Sequence, residues 1–282
     1  MLFGMHVSIA GSIALAPQNA HNSQCECFQM FSRSPRGGPA PKLTQSLIDE
    51  FKSTCKKHGF EKYYIHTPYY INLASANNRI RFGSIEVIRE ELERGSLLGV
   101  EYVMTHLGSA KDLGDTAALK QVGEGLKKIL AGYKGNSILL LENSAGAGKV
   151  VGDTFKDLNF LLKQTKLTTS KPQAAVCFDT CHAFASGYDL RSKKEVQHTL
   201  GQFDQHIGLE YLKLIHANDS QAGLGEHKDR HEHLGMGNIG LNGFRALVNH
   251  PKLKKVDMVL ETPKDGKEAD DLGILKKLRN ST

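Results

Sequence analysis

The sequence lacks any long apolar segment and has few cysteines. No apolar run among the 282 residues approaches the roughly 20 residues that a membrane-spanning helix requires, so no such helix is predicted. Five cysteines are odd in number and show no disulfide framework, a pattern typical of free thiols in a reducing compartment. No basic region precedes the N-terminal apolar residues, so they do not match the pattern of a secretory signal peptide. We therefore expect an intracellular protein, cytoplasmic in a prokaryote, with the nucleus or mitochondrion left open.

The charge balance is only mildly basic. Lysine and arginine total 36 against 30 acidic residues, which gives a formal net charge of +6 and a pI of about 8.9. This excess is compatible with a polyanionic partner such as a nucleic acid, and equally with a basic protein that has no such partner. Charge alone therefore leaves the partner open.

Six short apolar stretches each end on a residue that is able to bind a metal ion. The stretches are nearly continuous runs of Val, Ile, Leu, Tyr and Phe, as in strands buried on both faces. Successive end residues lie 36 to 45 positions apart, about one strand plus one crossover helix. Parallel strands with such ends would gather the six side chains at one end of a sheet, where α/β barrels place their chemistry. These residues are His66, His106, Glu142, Asp179, His216 and Glu261.

Further segments complete a barrel pattern. Leu2–Val7 and Cys25–Phe31 add two strands, which makes eight, and helical segments alternate with them. Ser46 is a predicted N-cap for a helix over 47–57, and Ser192-Lys193-Lys194-Glu195 is a predicted capping box. No change of composition marks a second domain. The sequence therefore predicts an α/β fold, a single (β/α)₈ TIM barrel over residues 1–282, with a metal site at the C-terminal face of the strands.

Two loops add further ligand types to the strand ends. His182 lies three residues beyond Asp179, and Asp229 and His231 are separated by one residue. Each residue taken alone is as well explained by a structural histidine or a paired carboxylate. Burying all of them at one barrel mouth, however, is costly unless cations compensate. Five imidazoles and four carboxylates exceed the needs of one ion, which indicates two or three ions of zinc or manganese type and a mouth that attracts phosphate.

Three motifs resemble the endonuclease IV family. They are Asp179-Thr180-Cys181-His182-Ala183, His216-Ala217-Asn218-Asp219-Ser220, and the segment from Asp229-Arg230-His231 through Gly237-Asn238-Ile239-Gly240. That family comprises trinuclear-zinc apurinic/apyrimidinic endonucleases of DNA base excision repair, and the resemblance covers essentially the whole chain. It implies a zinc-dependent hydrolase that cleaves duplex DNA 5′ to an abasic site. The products would be a 3′-hydroxyl and a 5′-deoxyribose phosphate, and blocked 3′ ends would also be removed.

The resemblance also implies a ligand assignment. Three Zn²⁺ ions are expected, with Mn²⁺ as an alternative at one site. The first ion would take His66, His106 and Glu142; the second Glu142, Asp179, His216 and Glu261; the third His182, Asp229 and His231. Glu142 and Glu261 are the expected catalytic residues. His6 matches a family histidine that is not one of the nine ligands, and we expect it to support a ligand.

Recognition of DNA is assigned to two loop residues. Arg36 and Tyr69 match family residues that enter the duplex at the lesion, where arginine can pair with phosphate and tyrosine can stack on or wedge between bases. The chain departs from many relatives in having no tryptophan, because Gly37-Gly38 stand where that residue is usual. Met236 replaces a glutamate usual near the third site. Neither departure touches a ligand.

Two other interpretations remain open at this level. A sugar isomerase or epimerase on a related metal barrel would need one or two ions and would not require the third group of ligands. A protein that binds lesions without cleaving them is disfavoured because the ligand set is complete. The expected partner is duplex DNA with abasic sites or blocked 3′ ends, bound by a monomer with no membrane association.

Overall fold

A parallel barrel forms the centre of the protein. The computed structural model describes residues 1–111, 113–165 and 173–279. Within these residues the wall of the barrel is built from eight strands: β1 Phe3–His6, β2 Cys27–Met30, β3 Tyr63–His66, β4 Tyr102–Thr105, β5 Ile138–Glu142, β6 Ala174–Asp179, β7 Leu212–His216 and β10 Asp257–Leu260. Neighbours are parallel throughout, and the ring closes because β1 pairs with both β2 and β10. The predicted TIM barrel is confirmed.

Helices surround the barrel between successive strands. In the described part of the chain they are α1 Ala16–Asn22, α2 Gln45–Lys57, α3 Asn78–Leu98, α4 Asp115–Leu130, α5 Phe155–Gln164, α6 Thr180–Ala185, α7 Lys193–His206, α8 Gly240–Val248 and α9 Glu268–Leu278. Their buried faces carry the apolar residues that pack on the outside of the strands. None of the helices described is both long and apolar enough to cross a bilayer.

One of the two predicted helix caps is right and the other is wrong. Ser192 caps α7, because its side chain accepts a hydrogen bond from the Glu195 amide at 3.3 Å. Ser46, by contrast, lies inside α2. That helix begins earlier than predicted, at Gln45, and Thr44 caps it by accepting from the Leu47 amide at 3.3 Å. Thr44 has the extended backbone that an N-cap requires.

A layer of side chains fills the barrel interior. Seven of the eight barrel strands contribute to it: the members are Cys27, Tyr64, Met104, Leu140, Ala175, Cys177, Leu214 and Val259. On the remaining strand, Gly4 pairs with Cys27 and Val259. A Cβ at Gly4 would lie 1.8 Å from the Cys27 carbonyl oxygen, so only glycine permits this approach. All five cysteines are free thiols.

A small antiparallel pair folds a loop back over the mouth of the barrel. The pair joins β8 Asp219–Ser220, just after β7, to β9 His231–Glu232. The buried Asp219 carboxylate accepts hydrogen bonds from the amides of Gly235 at 2.8 Å and Ile239 at 2.9 Å, which fixes the returning segment. This pairing carries Asp229 and His231 to the carboxyl end of the strands.

Candidate metal centre

The predicted ligands of the strand ends meet at one end of the barrel. His66, Glu142, Asp179 and His216 are the last residues of their strands. His106 and Glu261 follow directly after β4 and β10. Each of the six belongs to a group whose potential ligand atoms all lie within 4.8 Å of one another.

The first group consists of His66, His106 and Glu142. The Nε2 atoms of His66 and His106 lie 3.2 and 3.6 Å from Glu142 Oε2. The Nδ1–H of His66 donates to the Thr67 carbonyl oxygen at 2.6 Å, and that contact leaves Nε2 with its lone pair toward the group. His66 and Glu142 are buried, whereas the His106 side chain is 31% exposed.

The second group consists of Glu142, Asp179, His216 and Glu261. His216 Nδ1 lies 3.1 Å from Glu142 Oε1, 3.3 Å from Glu261 Oε2 and 3.8 Å from Asp179 Oδ2. Glu142 therefore presents one oxygen to the first group and its other oxygen to the second. A carboxylate in this position can bridge two cations.

The third group consists of His182, Asp229 and His231. Asp229 Oδ1 lies 3.3 Å from His182 Nε2 and 3.5 Å from His231 Nε2. Asp179 is the N-cap of α6 and accepts from the His182 amide at 2.8 Å, which explains the three-residue spacing between them. The Nδ1–H of His231 donates to the Glu261 carbonyl oxygen at 2.9 Å.

The electrostatics of these groups suit cations. Burial raises the pKa of the Glu142 carboxyl, but the neighbouring His106 and His216 outweigh burial and hold that pKa well below its usual range. Burial lowers the pKa of His182, yet Asp179 and Asp229 outweigh it and raise that pKa well above its usual value. The imidazoles and carboxylates of these groups thus offset each other's burial. Divalent ions would supply the same balance, and the mixed imidazole and carboxylate donors suit zinc or manganese.

A further grouping includes a thiol that is not one of the nine predicted ligands. Asp179, Cys181 and His231 also have potential ligand atoms within 4.8 Å. The Cys181 Sγ donates to the Arg230 carbonyl oxygen at 3.5 Å, and burial raises the pKa of this thiol to about 12. These observations favour a packed thiol.

Several buried amides that the sequence did not single out hold the ligands in place. Asn143 exchanges hydrogen bonds with the backbone of Asp179 at 2.7 and 3.0 Å. Asn218 donates to Asp179 Oδ2 at 2.7 Å and accepts from the Glu261 amide at 2.8 Å. Gln29 forms hydrogen bonds with two predicted ligands, Glu261 and His216. Asn143 and Asn218 each lie one or two positions beyond a predicted strand-end ligand, a signal that could have marked them.

The two predicted DNA-binding residues line a cleft that borders the donor groups, because the Tyr69 ring lies 6.4 Å from that of His66 and His6 Nδ1 lies 3.6 Å from Glu261 Oε1. Arg36 and Tyr69 both line an open cleft of about 1070 Å³ that also includes His6, Phe31 and Lys264. Arg36 is exposed and Tyr69 is 69% exposed, and the Tyr69 ring lies edge-on to that of Phe31 with 5.2 Å between the ring centroids. The structure therefore brings Arg36 and Tyr69 to the rim of the same mouth as the ligands.

Comparisons with known proteins agree with this architecture. Residues 17–279 match the family described as xylose isomerase-like TIM barrel. A protein named probable endonuclease 4 from Nitrosopumilus maritimus is 41% identical over 99% of this chain and 99% of its own length. Another of that name from Methanoculleus marisnigri is 39% identical over 98% of this chain and 97% of its own length.

Solved structures give the same result. The crystal structure of endonuclease IV from Thermus thermophilus superposes with a TM-score of 0.87 at 34% identity, covering 99% of this chain and 98% of that one. A D-tagatose 3-epimerase-like protein has a TM-score of 0.73 at 21% identity over 99% and 97%, a likeness of fold alone. With full-length relatives at this level of identity, the chain belongs to the endonuclease IV family.

Proposed function

We propose that this protein is a zinc-dependent DNA repair endonuclease. It would hydrolyse the phosphodiester 5′ to an abasic site in duplex DNA, leaving a 3′-hydroxyl and a 5′-deoxyribose phosphate, and would remove blocking groups from 3′ ends. The observation that carries the proposal is the juxtaposition of three donor groups, the first two of which share Glu142, with an open cleft at the same barrel mouth. A site of this charge and breadth suits a phosphodiester better than a small sugar.

Three ions would be held by the three donor groups. His66, His106 and Glu142 would hold the first; Glu142, Asp179, His216 and Glu261 the second; His182, Asp229 and His231 the third, with Mn²⁺ an alternative to Zn²⁺ at one of them. Bound ions would supply Lewis acidity, lowering the pKa of a water and neutralising charge that develops on the phosphate.

The protein's own groups would set the geometry of the reaction. Glu142 directs Oε2 to the first group and Oε1 to the second, so one buried carboxylate fixes how far apart these groups lie. The Glu261 side chain is 19% exposed and faces the second group through Oε2. Glu261 would then lie between the buried donors and an incoming phosphate, and its partial exposure supports the proposed catalytic role.

The cleft would hold the DNA next to these groups. Arg36 would pair with a backbone phosphate, and the exposed Tyr69 ring would stack on or wedge between bases at the lesion. The Lys264 ammonium donates to the His6 carbonyl oxygen at 2.9 Å and lines the same cleft, which adds positive charge there.

Incision of a defined duplex tests the proposal. A labelled duplex that holds one tetrahydrofuran abasic analogue is incubated with zinc-loaded protein and with protein stripped by prolonged chelation. We expect a single cut on the 5′ side of the analogue, a product that a polymerase can extend from its 3′-hydroxyl, and loss of the cut after stripping. An undamaged duplex of the same sequence is the matched control. Absence of incision by the metal-loaded protein would overturn the proposal.

A further inference from the structure

Gln29 is a fully buried amide on a barrel strand to which no ligand is assigned. It lies on β2 with no exposed surface. Burying an amide in a barrel is costly unless its donors and acceptor are all used. Its position in the register, next to His6 on β1 and Tyr64 on β3, places it in the barrel wall below the donor groups.

The Gln29 amide contacts two members of the second donor group. Its Oε1 accepts a hydrogen bond from His216 Nε2 at 2.8 Å, and its Nε2 donates to Glu261 Oε1 at 2.5 Å. The same Nε2 also lies 2.9 Å from His6 Nδ1, which accepts the second amide hydrogen. All the hydrogen-bonding groups of the amide are therefore engaged, and they join three separate strands or strand ends.

The orientation of this amide determines which nitrogen of His216 carries the proton and which group faces the Glu261 carboxylate. A carbonyl oxygen can only accept, so the proton of the neutral His216 ring must be on Nε2, and the lone pair is on Nδ1. That Nδ1 is the atom that faces Glu142 and Glu261. Reversing the amide would set its carbonyl oxygen against the Glu261 carboxylate, which can only accept, so the Glu261 contact fixes the orientation of the amide and with it the His216 tautomer.

We infer that Gln29 is a positioning residue for the second donor group. It selects the His216 tautomer that presents Nδ1 and holds Glu261 Oε1, so that Glu261 Oε2 turns toward the same point. Gln29 itself touches no substrate. The inference rests on the proposed metal site, and it assigns to an amide the part that a carboxylate or backbone carbonyl usually has behind a metal-binding histidine.

Zinc affinity is the measurement that tests this inference. Gln29→Met keeps the approximate size of the side chain but removes both polar contacts, and competition with a chromophoric chelator reports the affinity of each ion. Loss of such an outer partner typically weakens metal binding about 10- to 100-fold. We therefore expect Gln29→Met to release one of its bound ions at a chelator concentration about 10- to 100-fold lower than the wild type does.

A matched variant separates positioning from general structure. Gln121 also uses its amide in several hydrogen bonds, to the Leu73 and Ser75 carbonyls and from Arg81, and it is not a partner of the donor groups in the described part of the chain. Gln121→Met should leave the zinc affinities unchanged. In the wild type, ¹⁵N NMR of the zinc-loaded protein should show His216 with a proton on Nε2, and this signal should be lost or shared between the nitrogens in Gln29→Met.

Each outcome decides the inference. Wild-type zinc affinity together with an unchanged His216 signal in Gln29→Met would overturn it, as would an equal loss of affinity in Gln121→Met. Should Gln29→Met fail to fold, Gln29→Glu provides the test, because it keeps the acceptor for His216 but sets a carboxylate against Glu261. It should retain the His216 tautomer and still lose zinc affinity; wild-type affinity there would also overturn the inference. These readouts need no DNA, so a wild type that fails to incise would refute the proposed function without deciding the role of Gln29.

Discussion

The Arg94 guanidinium donates a hydrogen bond from Nη1 to the Pro41 carbonyl oxygen at 2.7 Å. The same group donates from Nη2 to the carbonyl oxygen of Ser32 at 2.5 Å. Ser32 and Pro41 are the two ends of the segment that carries Arg36, so one side chain of α3 ties both ends of that segment together. Glu91 is wholly buried on the same helix and balances the charge of the Arg94 guanidinium. It also accepts a hydrogen bond from Arg33 Nε at 2.5 Å.

Loss of this tie should loosen the segment that presents Arg36. We expect Arg94→Met to weaken binding of abasic duplex without changing the zinc content of the protein. Because the substitution leaves the carbonyl oxygens of Ser32 and Pro41 without this donor, it should also lower the free energy of unfolding, by about 1–3 kcal/mol for each carbonyl. Fluorescence anisotropy, metal analysis and urea denaturation measure the three quantities.

Arg89 on the same helix is the matched control. Its guanidinium also donates to backbone carbonyls, those of Ile129 and Ala131 at the end of α4, away from the Arg36 segment. Arg89→Met should cost stability but leave DNA affinity close to that of the wild type. Equal loss of DNA affinity in both variants would show that general destabilisation, not the tie to Ser32 and Pro41, is responsible.

Glu261→Gln should separate binding from chemistry. The amide keeps the size of the side chain but replaces one carboxylate oxygen by a donor in the second group, so we expect incision nearly abolished and abasic-DNA binding largely intact. Single-turnover incision and anisotropy on the same preparation report the two effects. Glu26→Gln, a partly buried glutamate paired with Arg279 at the opposite end of the barrel, should incise at the wild-type rate. Wild-type turnover in Glu261→Gln would contradict a catalytic role for Glu261.

Arg36 should contribute one phosphate contact. The logarithm of DNA affinity falls linearly with the logarithm of salt concentration. Each phosphate that the protein neutralises makes this slope steeper by about 0.9. Arg36→Ala should therefore reduce that slope by about 1, as measured by DNA binding across a salt series. Lys252→Ala changes an exposed cation that precedes β10 at the far end of the barrel and is paired with Asp204, and its slope should equal that of the wild type. An unchanged slope in Arg36→Ala would contradict the proposed contact between Arg36 and a DNA phosphate.

Tyr69 should contribute through its ring. Base–aromatic stacking is worth about 1–3 kcal/mol per base, so Tyr69→Ala should weaken abasic-duplex binding by about that amount, whereas Tyr69→Phe should bind almost as the wild type. Anisotropy titrations of the two variants compare ring and hydroxyl directly. If Phe binds as weakly as Ala, the hydroxyl rather than stacking is responsible.

The convergence of the strand ends could be predicted because two signals agree. A run of buried apolar residues ends on a donor residue, as at Glu142 and His216, and the interval between such ends equals one βα unit. Parallel strands of a closed barrel turn that interval into spatial proximity without further information. The fold and the neighbourhood of the strand-end donors therefore follow from local pattern and topology together.

Other features have no local signature. Gln29 is a single amide in an apolar strand, and only the closed ring places it between His216 and Glu261. The strands β8 and β9 have two residues each, too few for alternation to appear in the sequence, although their pairing delivers His231 to the mouth. Thr44 and Ser46 are both good capping types two positions apart, and the choice between them depends on where the chain enters α2.

The third donor group distinguishes the proposed nuclease from a sugar epimerase on the same barrel. The epimerase hypothesis needs at most two ions, whereas the nuclease hypothesis gives His182, Asp229 and His231 an ion of their own. Elemental analysis of fully loaded wild type should find three ions per chain, and Asp229→Ala should retain two because the other groups do not include Asp229. Asp265→Ala is the matched control, since Asp265 is exposed to nearly the same degree, 47% against 49%, and pairs with His233 outside the groups. It should keep three ions. Two or fewer ions in the wild type would favour the epimerase hypothesis, and three ions in Asp229→Ala would contradict the assignment of the third group.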